Sequence, residues 1–216
     1  DPTDPDNWTV PTPIYRNDAS LLNGNKQLAA TASGGVGMSL DMTYFQDADG
    51  RSYYAWQQLG ATYIATMDPK DPAHVTSSPV RIVTPEYAWN AAIAEGPNVT
   101  LRDGKLYLMF SGSGVGKTYT TGLAVADASG TDLTDPASWT VLNYPIQKSG
   151  PFNGEMQLGT GHGMWSEDED GNQIYVFHAY ATKNLGSVNA AGRDMFVRRV
   201  HWAADGMPVF DMSSSE

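Results

Sequence analysis

Three side chains that can exchange protons stand in short segments, each of which opens a strand-rich repeat. Asp41 lies in Ser39-Leu40-Asp41-Met42-Thr43-Tyr44-Phe45, Glu95 in Ala94-Glu95-Gly96-Pro97, and His162 between two glycines. Two carboxyl groups and an imidazole are typical groups for general acid–base catalysis. Because the segments occupy equivalent places in successive repeats, we expect the three side chains to meet at one point of the fold.

Glu95 follows the apolar run Ala91-Ala92-Ile93-Ala94 and precedes Gly96-Pro97. This context predicts a carboxyl group at the start of an innermost strand, among neighbours of low polarity. Burial disfavours the charged form of a carboxyl group, which suits a proton donor near neutral pH. A structural role, in which Glu95 caps a turn or pairs with an arginine, is equally compatible with this context.

Asp41 and His162 are each open to several interpretations. Asp41 is a charge among apolar residues, and many buried aspartates only tie down loops. His162 is flanked by Gly161 and Gly163, whose missing side chains let backbone approach closely. Taken singly, it could be a metal ligand, a substrate contact or a core histidine. His178, on an aromatic strand, is interpreted as structural.

The elements that must position these residues are short strands. Segments rich in β-formers recur along the chain, and the sequence has no amphipathic helical period of useful length. The pairs Asp49-Gly50, Asp103-Gly104 and Asp170-Gly171 each lie between two such segments. A tight hairpin needs a positive φ at that place, which Asp-Gly supplies. The pattern predicts an all-β fold.

The repeats have the size of propeller blades. Each contains an opening segment, a strand, an Asp-Gly hairpin, an aromatic strand and further strands that end at a corner rich in Pro and Asp. Residues 4–10 closely resemble residues 135–141, which end a repeat. We therefore expect a β-propeller of which the chain supplies about three blades plus the end of another.

Composition narrows the classes of function. The 216 residues carry 13 basic and 24 acidic side chains, a formal charge of −11, which disfavours nucleic acid and anionic membranes as partners. No stretch reaches the roughly 18 to 20 apolar residues of a membrane helix. Residues 111–118 resemble a phosphate-binding loop, but the strand expected after them would leave a phosphate without a helix N-terminus.

Taken together, the segments resemble glycoside hydrolase family 43, five-bladed β-propeller enzymes of arabinan and xylan breakdown. Residues 40–50 are similar to the third-blade segment of that family, and Ala94-Glu95-Gly96-Pro97 to its fourth-blade segment. Residues 159–163 are similar to the fifth-blade segment, and residues 201–209 to the closing element of the catalytic domain. The resemblance identifies residues 1–216 as the C-terminal portion of one propeller domain.

The resemblance implies a role for each candidate. Glu95 corresponds to the general acid, and Asp41 to the aspartate that holds the acid protonated. His162 corresponds to an axial histidine that often helps to hold a hydrated ion, so the cofactor implied is a structural calcium bound largely through water. Arg193 falls where the family places an arginine against the sugar.

Two aromatic residues complete the predicted site. Trp89 lies in a loop, residues 86–90, that we expect to rim the pocket, and an aromatic face suits the apolar side of a sugar. Phe45, at the end of the Asp41 segment, is predicted as a further substrate contact. The family's general base is an Asp of the first blade, and nothing before Asp41 resembles that segment. We expect a missing N-terminal segment or a companion chain to supply it.

The expected function is that of an inverting glycosidase that releases terminal L-arabinofuranose from arabinan or arabinoxylan of the plant cell wall. A β-xylosidase of the same family and a propeller that binds sugar without cleaving it are the alternatives. A phosphate-binding enzyme built on Lys117 is disfavoured, because the helix that it needs is not predicted. The compartment stays open, with an extracellular or cell-surface position favoured over the cytoplasm.

Overall fold

The computed structural model describes residues 1–22, 39–181 and 192–212. Within these ranges the strands are β1 (Ser39–Gln46), β2 (Ser52–Gln58), β3 (Ala61–Asp68), β4 (Asp71–Val75), β5 (Val80–Val83), β6 (Ala94–Arg102), β7 (Lys105–Gly112), β8 (Thr120–Asp127), β9 (Thr140–Val141), β10 (Gly150–Phe152), β11 (Glu155–Glu167), β12 (Gln173–Tyr180), β13 (Arg193–Arg199), β14 (His201–Trp202) and β15 (Pro208–Val209). Short 3-10 turns lie at Pro5–Asn7, Ala88–Asn90 and Pro136–Ser138.

The strands form three antiparallel sheets and one hairpin. Blade A has the order β1-β2-β3-β4 with β5 also paired to β3, blade B has the order β6-β7-β8-β9, and blade C has the order β10-β11-β12-β13. The hairpin pairs β14 with β15. The three Asp-Gly pairs form the turns after β1, β6 and β11, and their glycines have φ of 81°, 74° and 77°. The expected all-β fold with three blades is confirmed.

Strand β7 shows how the blades pack. Its side chains alternate between two faces, as the period of a strand requires. Leu108 and Phe110 belong to a core cluster that includes Ile64 and Val83 of blade A, whereas Met109 belongs to a second cluster with Tyr175 of blade C. Blade B is therefore covered on both faces, and its first strand is held between those of its neighbours.

The segment around Tyr15 pairs with β4 of blade A. Tyr15 exchanges backbone hydrogen bonds with Ala73 and Val75, at 2.8 and 2.9 Å. The corner that precedes this contact stays open, because Trp8 is 68% exposed and Val10 is 83% exposed. In the described part of the chain, no helix combines the length and apolar character needed to cross a membrane.

The glycine-rich residues 111–118 continue into a strand. They join β7 to β8, and β8 begins at Thr120. A phosphate bound there would meet no helix N-terminus. The strand predicted after residues 111–118 is confirmed.

Candidate active site

The strands that carry Asp41, Glu95 and His162 are all irregular at that residue. The pairing of β1 with β2 shifts register between Leu40 and Thr43, and the pairing of β6 with β7 shifts after Glu95. The pairing of β11 with β12 shifts on both sides of Gly161, next to His162. Such bulges bend a strand and re-aim a side chain. Here they direct three inner strands toward a common point.

Two of these residues hold an uncommon backbone conformation. Asp41 has a φ of 57° and His162 a φ of 50°, and Gly96 beside Glu95 has a φ of 59°. A non-glycine residue in this left-handed region costs roughly 1–2 kcal/mol. Strain of this kind concentrates at functional sites. The surrounding sheet therefore maintains a geometry at Asp41 and His162 that an isolated chain would avoid.

Asp41, Glu95, Tyr119 and His162 form one hydrogen-bonded group, which we name the axial cluster. The Tyr119 hydroxyl donates to Glu95 Oε1 at 2.5 Å and lies 3.0 Å from His162 Nδ1. His162 Nε2 is 3.5 Å from Asp41 Oδ1. Asp41 Oδ2 accepts a hydrogen bond from the Gly96 N–H at 3.1 Å. The two carboxyl groups are thus connected through one imidazole and one phenol.

The charges of Asp41 and His162 support each other. Burial alone would raise the pKa of Asp41, but the hydrogen bond and the charge of His162, together with the Gly96 N–H, outweigh it and lower that pKa. The hydrogen bond to Asp41 raises the pKa of His162 against the effect of burial. The pair therefore favours the ionised carboxylate and the imidazolium. Glu95, in contrast, is buried, with 6% of its surface exposed.

The glycines of this region make room for rings. A Cβ on Gly161 would collide with the ring of Tyr119, and one on Gly163 with the ring of Tyr175. A Cβ on Gly96 would lie 3.3 Å from the His162 ring. The sequence predicted a close approach of backbone at the two glycines that flank His162, but the groups that approach there are aromatic side chains, Tyr119 at Gly161 and Tyr175 at Gly163. At Gly161 its consequence is chemical, because it lets Tyr119 lie under β11 and reach Glu95.

Arg193 reaches the axial cluster through His178. Arg193 Nη1 lies 2.8 Å from His178 Nε2, and the His178 ring stacks on Tyr119 with ring centroids 5.6 Å apart. Burial, then the charges of Arg193 and His162, lowers the pKa of His178 to about 4. Since a guanidinium only donates, His178 Nε2 is the acceptor and Nδ1 carries the hydrogen. His178 belongs to the wall of the site.

The two predicted aromatic contacts lie elsewhere. Phe45 is in the core, 6% exposed and stacked on Tyr53 at 5.2 Å, which corrects its assignment as a substrate contact. Beyond the bulge at Asp41, the alternation of β1 turns the Phe45 ring inward and exposes its neighbour. Trp89 is half-buried, donates its indole N–H to the Asn143 carbonyl at 3.0 Å, and lines a separate cleft with Thr120.

Sequence reasoning did not identify Tyr119 as part of the site. This residue follows the segment that resembles a phosphate loop, and its hydroxyl contacts lie 24 residues away at Glu95 and 43 residues away at His162. A local sequence pattern cannot predict contacts between residues so far apart along the chain. Gly161 was the available signal, because a glycine beside the candidate histidine leaves room for a bulky side chain, here that of Tyr119.

The axial cluster does not provide a direct ligand set for a metal ion. Both ring nitrogens of His162 face protein partners, Tyr119 and Asp41. Among the described residues there is no group of three or more His, Asp or Glu side chains arranged to hold a metal. A hard cation prefers six to eight oxygen ligands. The reaction proposed for this site therefore assigns no role to calcium.

Comparison with known proteins identifies the family. Residues 25–208 match the family described as glycosyl hydrolases family 43. An extracellular exo-alpha-(1->5)-L-arabinofuranosidase of Streptomyces avermitilis is 32% identical over 185 residues, which are 80% of this chain and 37% of that protein. The protein of the same name from Streptomyces chartreusis is 33% identical over 159 residues, 68% of this chain and 46% of that protein.

The solved structures agree with the sequence relatives. The crystal structure of an α-L-arabinofuranosidase from Lactobacillus brevis has a TM-score of 0.71 at 29% identity, covering 80% of this chain and 55% of that one. A thermostable family-43 glycoside hydrolase has a TM-score of 0.68, which supports the propeller fold. The chain spans less than half the length of the two Streptomyces relatives. With the match over residues 25–208, the chain belongs to glycosyl hydrolases family 43.

Proposed function

We propose that this chain is the acid-bearing part of an inverting glycosidase that releases terminal L-arabinofuranose from arabinan or arabinoxylan. The observation that carries the proposal is the buried carboxyl group of Glu95, which lies where three bulged strands meet and is linked to the Asp41–His162 ion pair. The arabinofuranosidase names of the relatives support the choice of sugar.

In the proposed reaction, Glu95 protonates the oxygen of the leaving group. An inverting enzyme also needs a carboxylate that activates water on the opposite face of the sugar, roughly 6.5–9.5 Å from the acid. Asp41 is poorly suited to this task, because both its oxygens are engaged, one by His162 and one by Gly96. We assign Asp41 to the support of the acid, and the general base to an Asp outside this chain.

The exposure of Trp8 near the N-terminus supports the proposal that a further blade packs against this end of the chain. In blade B the equivalent Trp139 is 6% exposed and packs in the core cluster that contains Val83 and Ile82 of blade A. Trp8 has the same local surroundings but is 68% exposed. We propose that a preceding blade, in an N-terminal segment or a companion chain, covers Trp8. Acrylamide quenching of Trp8 fluorescence should then be weaker in the full-length protein than in residues 1–216.

The decisive experiment replaces Glu95 by Gln in the full-length protein. Loss of a general acid costs about 10²–10⁴ in rate, so we expect this loss on natural arabinosides. Aryl arabinofuranosides whose leaving group needs no proton should be spared. Glu167→Gln, an exposed carboxylate on β11, is the matched control. Near-normal turnover of a natural linkage by Glu95→Gln would refute the assignment.

The sugar is tested with paired substrates. Aryl arabinofuranosides and aryl xylosides carrying the same leaving group should separate the proposed arabinofuranosidase from a β-xylosidase. Preference for the xyloside would favour the second activity. Binding of arabino-oligosaccharides without hydrolysis by the full-length protein would favour a sugar-binding propeller. An extracellular location is proposed from the name of the Streptomyces avermitilis relative, and fractionation of the producing cells would test it.

A further inference from the structure

Among the described residues, the hydroxyl group of Tyr119 joins Glu95 to His162 and so to the rest of the axial cluster. The Tyr119 side chain belongs to a residue that is 1% exposed. Its hydroxyl lies 2.5 Å from Glu95 Oε1 and 3.0 Å from His162 Nδ1, and it also hydrogen-bonds to the Ser111 side chain. A phenol carries one hydrogen and can therefore donate to only one of them.

The direction of these hydrogen bonds follows from the partners. Tyr119 donates to Glu95 Oε1, so its oxygen is left to accept from His162 Nδ1–H. Burial, then the negative charge of Glu95, raises the pKa of Tyr119 far above its ordinary value. Tyr119 therefore stays protonated and remains a donor. His162 points its other N–H at Asp41, so His162 donates in two directions, to Asp41 and, through Tyr119, toward Glu95.

Packing fixes the Tyr119 ring in this orientation. It stacks on His178 with an interplanar angle of 5° and on His162 with an angle of 21°. Gly161 leaves the space in which the ring lies. A ring confined on these sides can present its hydroxyl to Glu95 in one direction only, which is the condition for orienting a catalytic group.

We propose that Tyr119 is a positioning residue that fixes which oxygen of Glu95 carries the transferable proton. Because Tyr119 donates to Oε1, a protonated Glu95 keeps its own hydrogen on Oε2, which is left to face the leaving group. The inference rests on the proposed function, in which Glu95 is the general acid. Tyr119 itself contacts no reacting atom and acts through Glu95.

The test compares two buried tyrosines in the full-length protein. Tyr119→Phe removes the hydroxyl that contacts Glu95. Tyr175→Phe removes an equally buried hydroxyl, 0% exposed, whose partner is Thr121 Oγ1 at 2.7 Å. Tyr119→Phe loses the hydrogen bonds to Glu95 and His162, and Tyr175→Phe loses the one to Thr121, each typically worth about 1 kcal/mol. They differ in whether a lost bond reaches the acid.

The readout is the dependence of kcat on the leaving group, measured with a series of aryl arabinofuranosides and a natural linkage. We expect Tyr119→Phe to lose about 10–100-fold in kcat on the natural linkage, a share of the 10²–10⁴ of acid catalysis. Its KM should change by less than about twofold, since the ground-state contacts of the sugar are intact. The loss should shrink as the leaving group improves, and Tyr175→Phe should show no such trend.

A loss in Tyr119→Phe that is uniform across the series, or equal to that of Tyr175→Phe, would overturn the inference. The proposed function fails separately, when Glu95→Gln itself shows no dependence on the leaving group. If Tyr119→Phe does not fold, 3-fluorotyrosine at position 119 keeps the ring and the hydroxyl but makes the phenol a stronger donor. It should then change the slope of the series, and an unchanged slope would overturn the inference.

Discussion

The beginnings of β1 and β6 share a construction but place their carboxyl groups in different surroundings. Both strands shift register there and both contain a residue with positive φ, Asp41 in β1 and Gly96 in β6. The Asp41 side chain is 23% exposed and faces the His162 imidazole, whose pKa is raised, whereas Glu95 is buried and faces a phenol. The same kind of bulge thus places one carboxyl group in an ion pair and the other in a buried position.

The difference arises from neighbours that are distant in sequence. His162 of blade C supplies the positive partner of Asp41, and Tyr119 of blade B supplies the hydroxyl beside Glu95. The bulge decides where each carboxyl group points, and a residue distant in sequence supplies its side-chain partner. Exchanging these neighbours should therefore alter chemistry without altering the fold of the strands.

Apart from the loss of Glu95 itself, the largest expected effect comes from removing the charge of Asp41. Asp41→Asn keeps an oxygen for the Gly96 N–H but leaves His162 without its counterion. We expect the pKa of His162 to fall toward its ordinary value, and kcat/KM on a natural linkage to drop by roughly 10²-fold, the lower end of acid–base effects. Histidine NMR titration and steady-state kinetics of the full-length protein measure the two. Asp103→Asn, in an exposed hairpin, is the control.

Unchanged titration of His162 in Asp41→Asn would show that the ion pair does not set the charge of this imidazole. An unchanged rate would remove Asp41 from the support of the acid. Either result would indicate that Asp41 and Glu95 differ less in their interactions than the structure suggests.

A smaller effect should follow from filling the space under Tyr119. Gly161→Ala places a Cβ against the Tyr119 ring, which must then shift, and a shifted ring should change the contact of its hydroxyl with Glu95. Overpacking of this kind costs about 1–3 kcal/mol of stability, and the displaced hydroxyl should lower kcat as well. Gly150→Ala in the same blade is the control, because no atom lies within 4 Å of its added Cβ. Denaturant unfolding and kcat of the full-length protein measure the effect, and equal behaviour of the two variants would contradict it.

Sequence alone predicted the fold because its signals are local. Asp-Gly turns and strand alternation act over a few residues, and the two corners show the limit of such signals. The Trp8 indole bonds to the Pro2 carbonyl and the Trp139 indole to the Leu133 carbonyl, with the same spacing. Their local structure is the same, yet one ring is exposed and the other buried.

The candidate site divides along the same line. Asp41, Glu95 and His162 could be found because each opens a repeat. The position of His178 beside Arg193 could not be predicted from the sequence. It depends on the pairing between β12 and β13 and on stacking with Tyr119. Phe45 was misplaced because a bulge resets the alternation of the residues that follow it. Long-range packing thus determines what the sequence pattern leaves open.

A third prediction concerns pH, since the two neighbouring histidines should respond in opposite directions. The pKa of His162 is raised, so its contribution to stability is complete below about pH 6.5 and is lost as the pH rises through the folded value. The pKa of His178 is lowered to about 4, so its contribution is complete above about pH 6.5 and is lost as the pH falls.

Unfolding of the full-length protein from about pH 4 to 8 should therefore separate two variants. His162→Gln should lose stability mainly on the acidic side of its folded pKa, by about 1 kcal/mol or less because the pair is partly exposed. His178→Gln should flatten the loss of stability in acid. Parallel pH profiles of the two variants would contradict the opposite shifts.

The smallest effect is expected from removal of calcium. We propose that a cation near His162 is held through water, because both imidazole nitrogens already face protein partners. Such an ion has few direct protein ligands, and calcium affinity falls with the number of charged ligands, so we expect it to bind weakly. Chelation by EGTA should therefore lower the Tm of the full-length protein by only a few degrees.

The different surroundings of Asp41 and Glu95 also predict which of the two carboxyl groups interacts with the cation. The accessible, ionised Asp41 would face a hydrated cation, whereas Glu95 is sheltered by Tyr119. The effect of EGTA should consequently disappear in Asp41→Asn and persist in Glu95→Gln. Calcium titration followed by Tm distinguishes these variants, and an equal response in both would place the cation away from Asp41. A loss of stability far beyond a few degrees would instead indicate direct ligands.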